Sequence, residues 1–351
     1  MAKDSSKTPP AAGKTSGNGS STQGPTCLQK LSVATYIYFI PFFIVCNLLC
    51  LTNKYTALLW FLYTLYINVG PGRWAAKNAS WPKLGRKLGW WRHCADYFPT
   101  QLIRTADLDP DQRYIFVVAP HGVVTMFCWP CFDTDATDFS KKFPGIDIHP
   151  MTLEINFRVP FMREFLLLHG VVDASKAACL MTLGKGSGQA ILLAVGGAQE
   201  SLLARPGTYD IILAKRKGFV KVALQTGAKL VPVIGFGENE LYHMREVKPG
   251  SMRDKLQRFL KAAFGFTLPN AIGKGLLWGS GLMPFNRPLH TVVGAPVEFD
   301  PSAALKDNPE AGLEALVDAY HAQYVAALKQ LWNDHKDKYD SGRRKSLDIV
   351  E

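Results

Sequence analysis

The sequence predicts an α/β fold, a mostly parallel sheet with flanking helices, preceded by an N-terminal transmembrane hairpin. Short apolar runs typical of buried strands recur along the chain, at residues 114–118, 191–195, 211–214, 230–235 and 291–293. Segments with helical periodicity, such as 219–226, separate the later runs, and this alternation favours a parallel sheet in a layered fold. The uncharged apolar stretch 31–51 predicts the membrane segment.

The chain divides into four predicted regions. Residues 1–26 are rich in Ser, Thr, Gly and Lys without an apolar period, so a disordered tail is expected. Residues 27–72 form the predicted hairpin, residues 73–340 a cytosol-facing domain, and residues 341–351 a charged, frayed tail.

The hairpin prediction depends on two apolar segments. Segment 31–51 reaches the length of about 20 residues that a spanning helix needs, whereas segment 56–69 is short for a full span. Lysines and arginines flank the pair on both sides and only Lys54 lies between, which puts both flanks in the cytosol. Pro41 allows a kinked or re-entrant first segment instead.

Composition indicates a large folded core and an anionic partner. The 351 residues are 47% hydrophobic, and the net charge is +11 with a pI near 9.2. This charge fits three kinds of anionic partner: nucleic acid, a membrane surface or a phosphorylated substrate. The predicted membrane segment favours two of them, lipid headgroups or a substrate that carries a nucleotide. No recognised nucleic-acid signature is present, so nucleic acid is not an expected partner.

His121 is the first candidate for chemistry. It stands between Pro120 and Gly122, directly after the predicted strand 114–118, where open α/β folds place their active sites. A lone histidine at a strand end is nevertheless more often a core residue than a catalytic one.

Glu200 is a second candidate at the same predicted sheet edge. It follows the run 191–195 and the pair Gly196 and Gly197, where the backbone can approach a ligand. If it lies close to His121, its carboxylate could hold the imidazole while the imidazole takes a proton. The alternative is a solvated residue in the first turn of a helix.

Two further clusters carry polar groups. Arg216, Lys217 and Lys221 stand around the start of a predicted helix, an arrangement that suits an anion, although a charge run is usually a solvated face. The run 230–235 ends close to Glu238 and Asn239, a third polar strand exit.

Three segments toward the carboxyl end have distinct patterns. Residues 251–266 predict a basic amphipathic helix that lies either on the membrane or on the sheet. Residues 264–289 are apolar and rich in Gly and Pro, which predicts an irregular membrane-dipping or substrate-lining loop. Residues 310–335 predict a long packing helix.

Several familiar sites are excluded. The glycines near Lys185 do not have P-loop or dinucleotide spacing, and no Gly-x-Ser-x-Gly elbow is present. The seven cysteines are odd in number and scattered, so reduced thiols are expected, and Cys128 and Cys131 are interpreted as packing. No catalytic metal is predicted.

An ordered set of motifs gives the chain a family resemblance. Pro120-His121-Gly122 is followed by Asn156-Phe157, Pro160-Phe161, Arg163-Glu164, Gly196-Gly-Ala-x-Glu-Ser-Leu202, Arg216-Lys-Gly-Phe-Val-Lys221, Val231-Pro-Val-x-x-Phe-Gly-Glu-Asn239 and Val292-Val-Gly-x-Pro296. Together, over about 31–335, they resemble the type-2 diacylglycerol acyltransferase family, which includes monoacylglycerol and wax-alcohol acyltransferases.

The resemblance implies an endoplasmic-reticulum membrane enzyme, also associated with lipid droplets, that moves a fatty acyl group from acyl-CoA to diacylglycerol without a cofactor. His121 corresponds to the second histidine of the family's His-Pro-His-Gly motif, and Ala119 replaces the first. His121 is then the general base and Glu200 its catalytic partner. The implied substrate-binding residues are Pro120, Gly122, Arg163, Gly196, Gly197, Arg216, Lys217, Lys221, Glu238 and Asn239.

The sequence is also compatible with other acceptors and with other functions. Monoacylglycerol or a fatty alcohol could be the acceptor, and a non-catalytic protein that binds neutral lipid in the same membrane is a rival of another class. A glycerophosphate-type acyltransferase requires Asp where this chain has Met126. Membrane lipid is an expected partner, and a homo-oligomer is compatible with the sequence.

Overall fold

The computed structural model describes residues 24–264, 269–302 and 312–350. The predicted tail 1–26 therefore lies outside the described residues up to residue 23. The helices are α1 Cys27–Ile37, α2 Phe39–Cys50, α3 Lys54–Asn68, α4 Ala75–Asn78, α5 Trp90–Tyr97, α6 Phe139–Lys142, α7 Met162–Leu168, α8 Lys176–Leu183, α9 Gly197–Glu200, α10 Gly218–Thr226, α11 Met252–Phe264 and α12 Leu313–Tyr339.

The strands are β1 Gln101–Arg104, β2 Tyr114–Ala119, β3 Asp147–Thr152, β4 Val172–Asp173, β5 Gln189–Leu193, β6 Tyr209–Ile212, β7 Lys229–Phe236, β8 His243–Met244, β9 Ala271–Lys274, β10 Ser280–Gly281, β11 His290–Val293 and β12 Leu347–Val350. Seven of them form one sheet in the order β1-β11-β7-β2-β5-β3-β4. β7, β2, β5, β3 and β4 are parallel, whereas β11 is antiparallel to β7. The predicted mostly parallel sheet is confirmed.

The sheet is covered on both faces. β2 is buried along its whole length, and its side chains alternate between two hydrophobic clusters. Tyr114 and Phe116 pack on the side of α1 and α5, while Ile115 and Val117 pack on the side of α8, α10 and α12. Burial on both faces explains why the strand has a continuous apolar sequence.

The N-terminal helices differ from a simple pair of spans. Within the described part of the chain, no one helix is both long and apolar enough to cross a bilayer; only α1 and α2, bent by 65° at Tyr38, reach that length and composition together. Pro41 explains the bend, since it has no N–H for the Ile37 carbonyl and its ring crowds that carbonyl. The second segment forms α3, of 15 residues.

Polar side chains hold α2 and α3 against the domain. Asn47 donates to the Pro160 carbonyl at 3.1 Å and accepts from Trp60 Nε1 at 2.6 Å. Asn68 donates to the Arg158 carbonyl at 3.2 Å. The other sides of these helices expose large apolar residues, among them Phe42, Leu48, Leu49, Leu58, Leu59 and Phe61.

Three predictions about the later segments need correction. The run 211–214 overlaps β6, but β6 leaves the main sheet and pairs in parallel with β12. The tail 341–351 is therefore not frayed throughout, because backbone hydrogen bonds fix residues 347–350. Segment 264–289 is irregular only in part, since β9 and β10 form an antiparallel sheet with β8, whereas residues 284–289 have no regular structure; residues 265–268 lie outside the described residues.

The predictions of three helices and of reduced cysteines are confirmed. α10, α11 and α12 correspond to the predicted helices 219–226, 251–266 and 310–335 within the described residues. All seven cysteines are free thiols, and Cys128 and Cys131 are buried in the core beside the sheet, as their interpretation as packing residues requires.

Candidate active site

Three neighbouring parallel strands end at the candidate site. β7, β2 and β5 lie side by side at the centre of the sheet, and their carboxyl ends share one edge. His121 follows β2, Glu200 follows β5 in α9, and Glu238 follows β7. The topology therefore brings the three predicted strand exits together.

The His121 ring is partly exposed and held through one nitrogen. Nδ1 lies 3.1 Å from the Gly122 carbonyl oxygen and 3.3 Å from Thr125 Oγ1. A carbonyl only accepts, so we assign the proton to Nδ1, which leaves a lone pair on Nε2. In residues 24–264, 269–302 and 312–350, Nε2 has no hydrogen-bond partner. The ring thus presents a base to whatever occupies the sheet edge.

Burial lowers the pKa of His121 below its ordinary value of 6.5, because the surrounding protein disfavours the charged imidazolium, and the hydrogen bond to Gly122 opposes this shift. The ring is consequently neutral at pH 7. A neutral imidazole with an unpartnered nitrogen can accept a proton from an alcohol.

Glu200 contacts the backbone of His121 and not its ring. Oε1 accepts from the His121 N–H at 2.5 Å, and Oε2 accepts from the Ile212 N–H at 2.8 Å. Both carboxylate oxygens are thus occupied by backbone donors, and the carboxylate cannot set the imidazole tautomer as the sequence suggested. Burial raises the pKa of Glu200 to about 7, while the two backbone hydrogen bonds oppose the increase. Glu200 is a positioning residue for the turn that carries His121.

Glu238 holds the other side of the same turn. It is 1% exposed, and its two oxygens accept from the N–H groups of Met126 and Phe127 at 2.9 and 3.0 Å. Burial raises its pKa to about 7. A side chain at Gly122, where φ is +60°, would overlap the Glu238 carboxylate, so only glycine fits at that position. The third polar strand exit therefore shapes the loop after His121.

Sequence reasoning missed Thr125. Its hydroxyl donates to the His121 carbonyl at 2.9 Å and lies against Nδ1, so it shares with Gly122 the role first given to Glu200. Its φ of +54° is an outlier for a β-branched residue, the kind of backbone strain that concentrates at functional sites. A hydroxyl four residues after a candidate histidine was the only signal in the sequence.

Backbone donors at the two glycine turns are not equivalent. The Gly197 N–H donates to the Ala194 carbonyl at 3.1 Å. Neither Gly122 nor Gly196 has an N–H that donates to an atom of the described residues. A side chain at Gly196 would overlap Glu200. Gly122 and Gly196 are the better candidates for binding an oxyanion.

The remaining residues predicted near this edge have structural partners. Pro120 is buried, and the Ala119–Pro120 peptide bond is cis. Asn239 is 6% exposed and donates through Nδ2 to the Thr208 carbonyl at 2.7 Å, which ties the end of β7 to the segment before β6. Ala119 is 3% exposed and lies in the cluster with Ile115.

Each of the three predicted anion-binding cations has a different side-chain partner. Arg216 donates to the neutral Gln199 side chain at 2.5 Å, next to Glu200. Lys217 and Lys221 instead pair with Asp318 and Glu314 of α12, at 2.6 and 2.7 Å. Of the three, Arg216 is the one beside the sheet edge.

Arg163 lies elsewhere. The residue is 2% exposed, and its guanidinium contacts Tyr63 of α3, the neighbouring Glu164 and the Gly72 carbonyl at 3.3, 2.6 and 2.8 Å. These contacts use its donors to fasten α3 to α7. The structure does not bring Arg163 to His121, so its sequence-based role in substrate binding is not supported by its position.

The apolar N-terminal helices reach the site. Tyr36 of α1 donates to the Val124 carbonyl at 3.0 Å and its ring packs 4.6 Å from that of Trp129. Val124 is three residues after His121.

Among the described residues, no group of three His, Cys, Asp or Glu side chains could hold a metal ion.

Comparison with known proteins decides the family. A family model described as diacylglycerol acyltransferase matches residues 47–350. The chain belongs to the diacylglycerol acyltransferase family. The family match covers the three strand exits and both glycine turns, as well as α12 and β12.

Curated relatives span nearly the same length. Diacylglycerol O-acyltransferase 2A of Umbelopsis ramanniana is 39% identical over 338 residues, 92% of this chain and 90% of the relative. Diacylglycerol O-acyltransferase 2 of Dictyostelium discoideum is 37% identical, over 88% of this chain and 92% of the relative. Acyl-CoA wax alcohol acyltransferase 1 of Homo sapiens is also 37% identical, over 84% and 93%.

Proposed function

We propose that this chain transfers a fatty acyl group from acyl-CoA to the hydroxyl of diacylglycerol, forming triacylglycerol and free CoA, with His121 as the general base. The observation that carries the proposal is a neutral imidazole at the shared edge of β7, β2 and β5 whose Nε2 has no hydrogen-bond partner in the part of the chain that the structure describes. The names of the family and of its relatives supply the substrate class.

The chemistry is a direct acyl transfer. Nε2 of His121 takes the proton of the alcohol as its oxygen attacks the thioester carbonyl carbon. The N–H groups of Gly122 and Gly196 are candidate donors to the resulting oxyanion. The carbon–sulfur bond then breaks, and the imidazolium returns the proton to the CoA thiolate. General-base catalysis of this kind contributes about 10² to 10⁴-fold.

Arg216 is the proposed contact for the CoA moiety. It is exposed beside the sheet edge and bonded to a neutral amide, so a phosphate can displace Gln199 without separating an ion pair. Lys217 and Lys221 would first have to leave Asp318 and Glu314. Those exposed ion pairs are each worth about 0–1 kcal/mol, so the lysines remain secondary candidates.

The bent pair and α3 are the proposed membrane anchor. In this arrangement they enter the bilayer from the cytosolic side of the endoplasmic reticulum and return, so that both termini and the domain 73–340 face the cytosol. The exposed apolar sides of α2 and α3 support contact with acyl chains. The same one-sided insertion is compatible with the single lipid layer of a droplet.

A fatty alcohol is the second candidate acceptor. The wax alcohol relative is as similar to this chain as the Dictyostelium diacylglycerol enzyme, at 37% identity each. Diacylglycerol ranks first because most of the relatives compared carry that name.

An acceptor panel tests the proposal. Purified full-length protein in mixed micelles receives radiolabelled oleoyl-CoA with diolein, monoolein, hexadecanol or glycerol 3-phosphate, and the labelled lipids are separated. Labelled triacylglycerol as the main product supports the proposal, and wax ester as the main product favours the second candidate. No product above the protein-free background with any acceptor contradicts both and favours a lipid-binding protein.

A further inference from the structure

A second exposed apolar surface lies outside the N-terminal helices. The turn between β9 and β10 presents Leu277 and Trp278, which are 77% and 82% exposed. Leu282, just after β10, is 53% exposed. Two adjacent large apolar side chains at the tip of a hairpin cost free energy in water, and a tryptophan so placed is typical of a membrane–water interface.

Hydrogen bonds fix the shape of this tip. The Gly275 N–H donates to the Gly279 carbonyl at 2.7 Å across the turn. At the base, Lys274 and Met283 exchange backbone hydrogen bonds at 2.6 and 2.9 Å, and Met283 is buried in the core. The tip is therefore a projecting element on an anchored base.

Helix α11 extends the surface with charge. Met252 and Leu256 are four residues apart on one helix face and are 83% and 48% exposed, so this face does not pack on the sheet. Segment 248–258 carries four cations and one acidic residue: Lys248, Arg253, Lys255, Arg258 and Asp254. An apolar face beside excess positive charge fits an anionic lipid surface.

Two contacts orient α11 and the hairpin. Arg253 of α11 donates to the Asn270 side chain at 2.5 Å, directly before β9. Tyr242, which precedes β8, donates to the Leu282 carbonyl at 2.9 Å and packs in the same core cluster as Val33 of α1. The hairpin thus packs on the same hydrophobic cluster as α1, the first helix of the bent pair.

We infer that Leu277, Trp278, Leu282, Met252 and Leu256 form a docking surface for an anionic phospholipid bilayer, distinct from the N-terminal anchor. The hairpin inserts its tip among the headgroups while the cations of α11 contact lipid phosphates. Two separated contacts prevent the domain from rotating about the N-terminal helices and hold the His121 edge at a constant height above the bilayer.

Photolabelling of the full-length protein tests this inference. The chain is reconstituted into phosphatidylcholine vesicles with and without phosphatidylserine, each carrying a lipid with a diazirine near its headgroup, and labelled peptides are mapped. We expect labelling of 276–282 and of 252–256, stronger with phosphatidylserine, and labelling of α2 and α3 in both vesicles.

Matched variants provide the control. In the double variant Leu277→Asp with Trp278→Asp, the charged tip should no longer enter the bilayer. Helix α11 then loses its contact with lipid, and labelling of 252–256 should fall about tenfold. Leu313→Asp, at an exposed leucine of α12, should leave labelling unchanged. Both variants should retain the parent activity in detergent micelles, which shows that they fold.

Three outcomes would overturn the inference. Labelling of α2 and α3 without labelling of 276–282 would reject the second surface alone. Absence of labelling in all of these segments would reject the proposed anchor as well. Crosslinking of the hairpin tip to a second copy of the chain, in place of lipid, would make the surface a protein interface.

Discussion

At the residue scale, the site depends on how the turn after β2 is fixed. His121 is held by Glu200 through its N–H and by Thr125 through its carbonyl, at 2.5 and 2.9 Å. Glu238 fixes the N–H groups of Met126 and Phe127 at the end of the same turn. The direction of the imidazole is therefore set by the backbone. The carboxylates of Glu200 and Glu238 position this backbone and do not contact the His121 ring.

Gly122→Ala tests the fit between this turn and Glu238. The new methyl group combines a left-handed backbone cost of about 1–2 kcal/mol with overlap against a buried carboxylate, about 1–3 kcal/mol more. Gly197→Ala is the control, since Gly197 has φ +57° and no atom within 4 Å of the added carbon. Thermal unfolding in detergent should show Gly122→Ala as the more destabilised variant, and equal midpoints would contradict the described packing.

Thr125→Ala tests the orientation of the imidazole. Loss of the hydroxyl should lower kcat up to about tenfold, the equivalent of one hydrogen bond of about 0.5–1.5 kcal/mol, with little change in KM. Thr125→Ser retains the hydroxyl and should restore most of kcat. If Thr125 had only a structural role, kcat would instead follow the thermal stability of each variant. A Thr125→Ala protein with the parent kcat would refute the orienting role.

The sequence predicted the location of this site but not its connections. Each strand exit could be found because apolar runs end at Pro120, at Gly196 and near Glu238. The partner of Glu200 could not be found, since a carboxylate near a histidine can accept from the ring or from the backbone. The left-handed Thr125 was hidden too, because neither composition nor periodicity marks it.

At the element scale, β6 and β12 support the site from outside the main sheet. The Ile212 N–H at the end of β6 donates to Glu200, and β12 pairs with β6 over residues 347–350. The apolar run 211–214 looked like another core strand because period and length do not specify the partner of a strand. Charged residues around 343–348 likewise concealed the alternating pattern of β12.

Val350→Pro tests this connection. The Val350 carbonyl accepts from the Leu213 N–H at 3.3 Å, and in a parallel ladder the N–H of the same residue faces the same strand. Proline cannot donate there, so β6 should loosen and the Ile212 N–H should leave Glu200. At pH 8, where Glu200 is ionised because its pKa is about 7, we expect kcat to fall at least about tenfold, since a hydrogen bond to a charged acceptor contributes about 1.5–3 kcal/mol. Asp348→Ala, an exposed position in the same strand, should retain the parent kcat. If the proline variant also retains it, β12 has no part in positioning Glu200.

The start of α10 provides another element-scale test. Arg216→Gln should raise the KM for acyl-CoA about tenfold or more, since a charge-assisted contact to phosphate contributes about 1.5–3 kcal/mol. Lys221→Gln removes a cation that is already paired with Glu314 and should change KM little. Steady-state rates at varied acyl-CoA concentration separate the two. A larger effect at Lys221 would move the phosphate contact from Arg216 to the side of α10 that faces α12.

At the scale of the whole molecule, the fold combines a polar site with two exposed apolar surfaces, and the N-terminal helices that carry one of them reach the site through Tyr36. The α/β order was predictable because strand runs and helical periods alternate along the chain. The sequence predicted a hairpin whose first segment Pro41 could kink and whose second segment is short for a span. The structure gives a pair bent by 65° and a 15-residue α3, both held to the domain by side chains such as Asn47. Hydropathy reports apolar length, whereas tertiary contacts decide how such helices lie.

Replacement of His121 is the most direct test of the account. His335→Ala is the matched control, since His335 is also partly exposed with Nδ1 2.9 Å from a backbone carbonyl. In vesicles with labelled oleoyl-CoA and diolein, His121→Ala should lower kcat about 10² to 10⁴-fold, and the control should not. In the parent, protonation of His121 removes the base, and because its pKa is lowered this loss of kcat/KM should occur only below pH 6.5. A smaller change near pH 7 would belong to Glu200 and Glu238, whose pKa values are about 7. A folded His121→Ala protein with the parent rate would contradict the account.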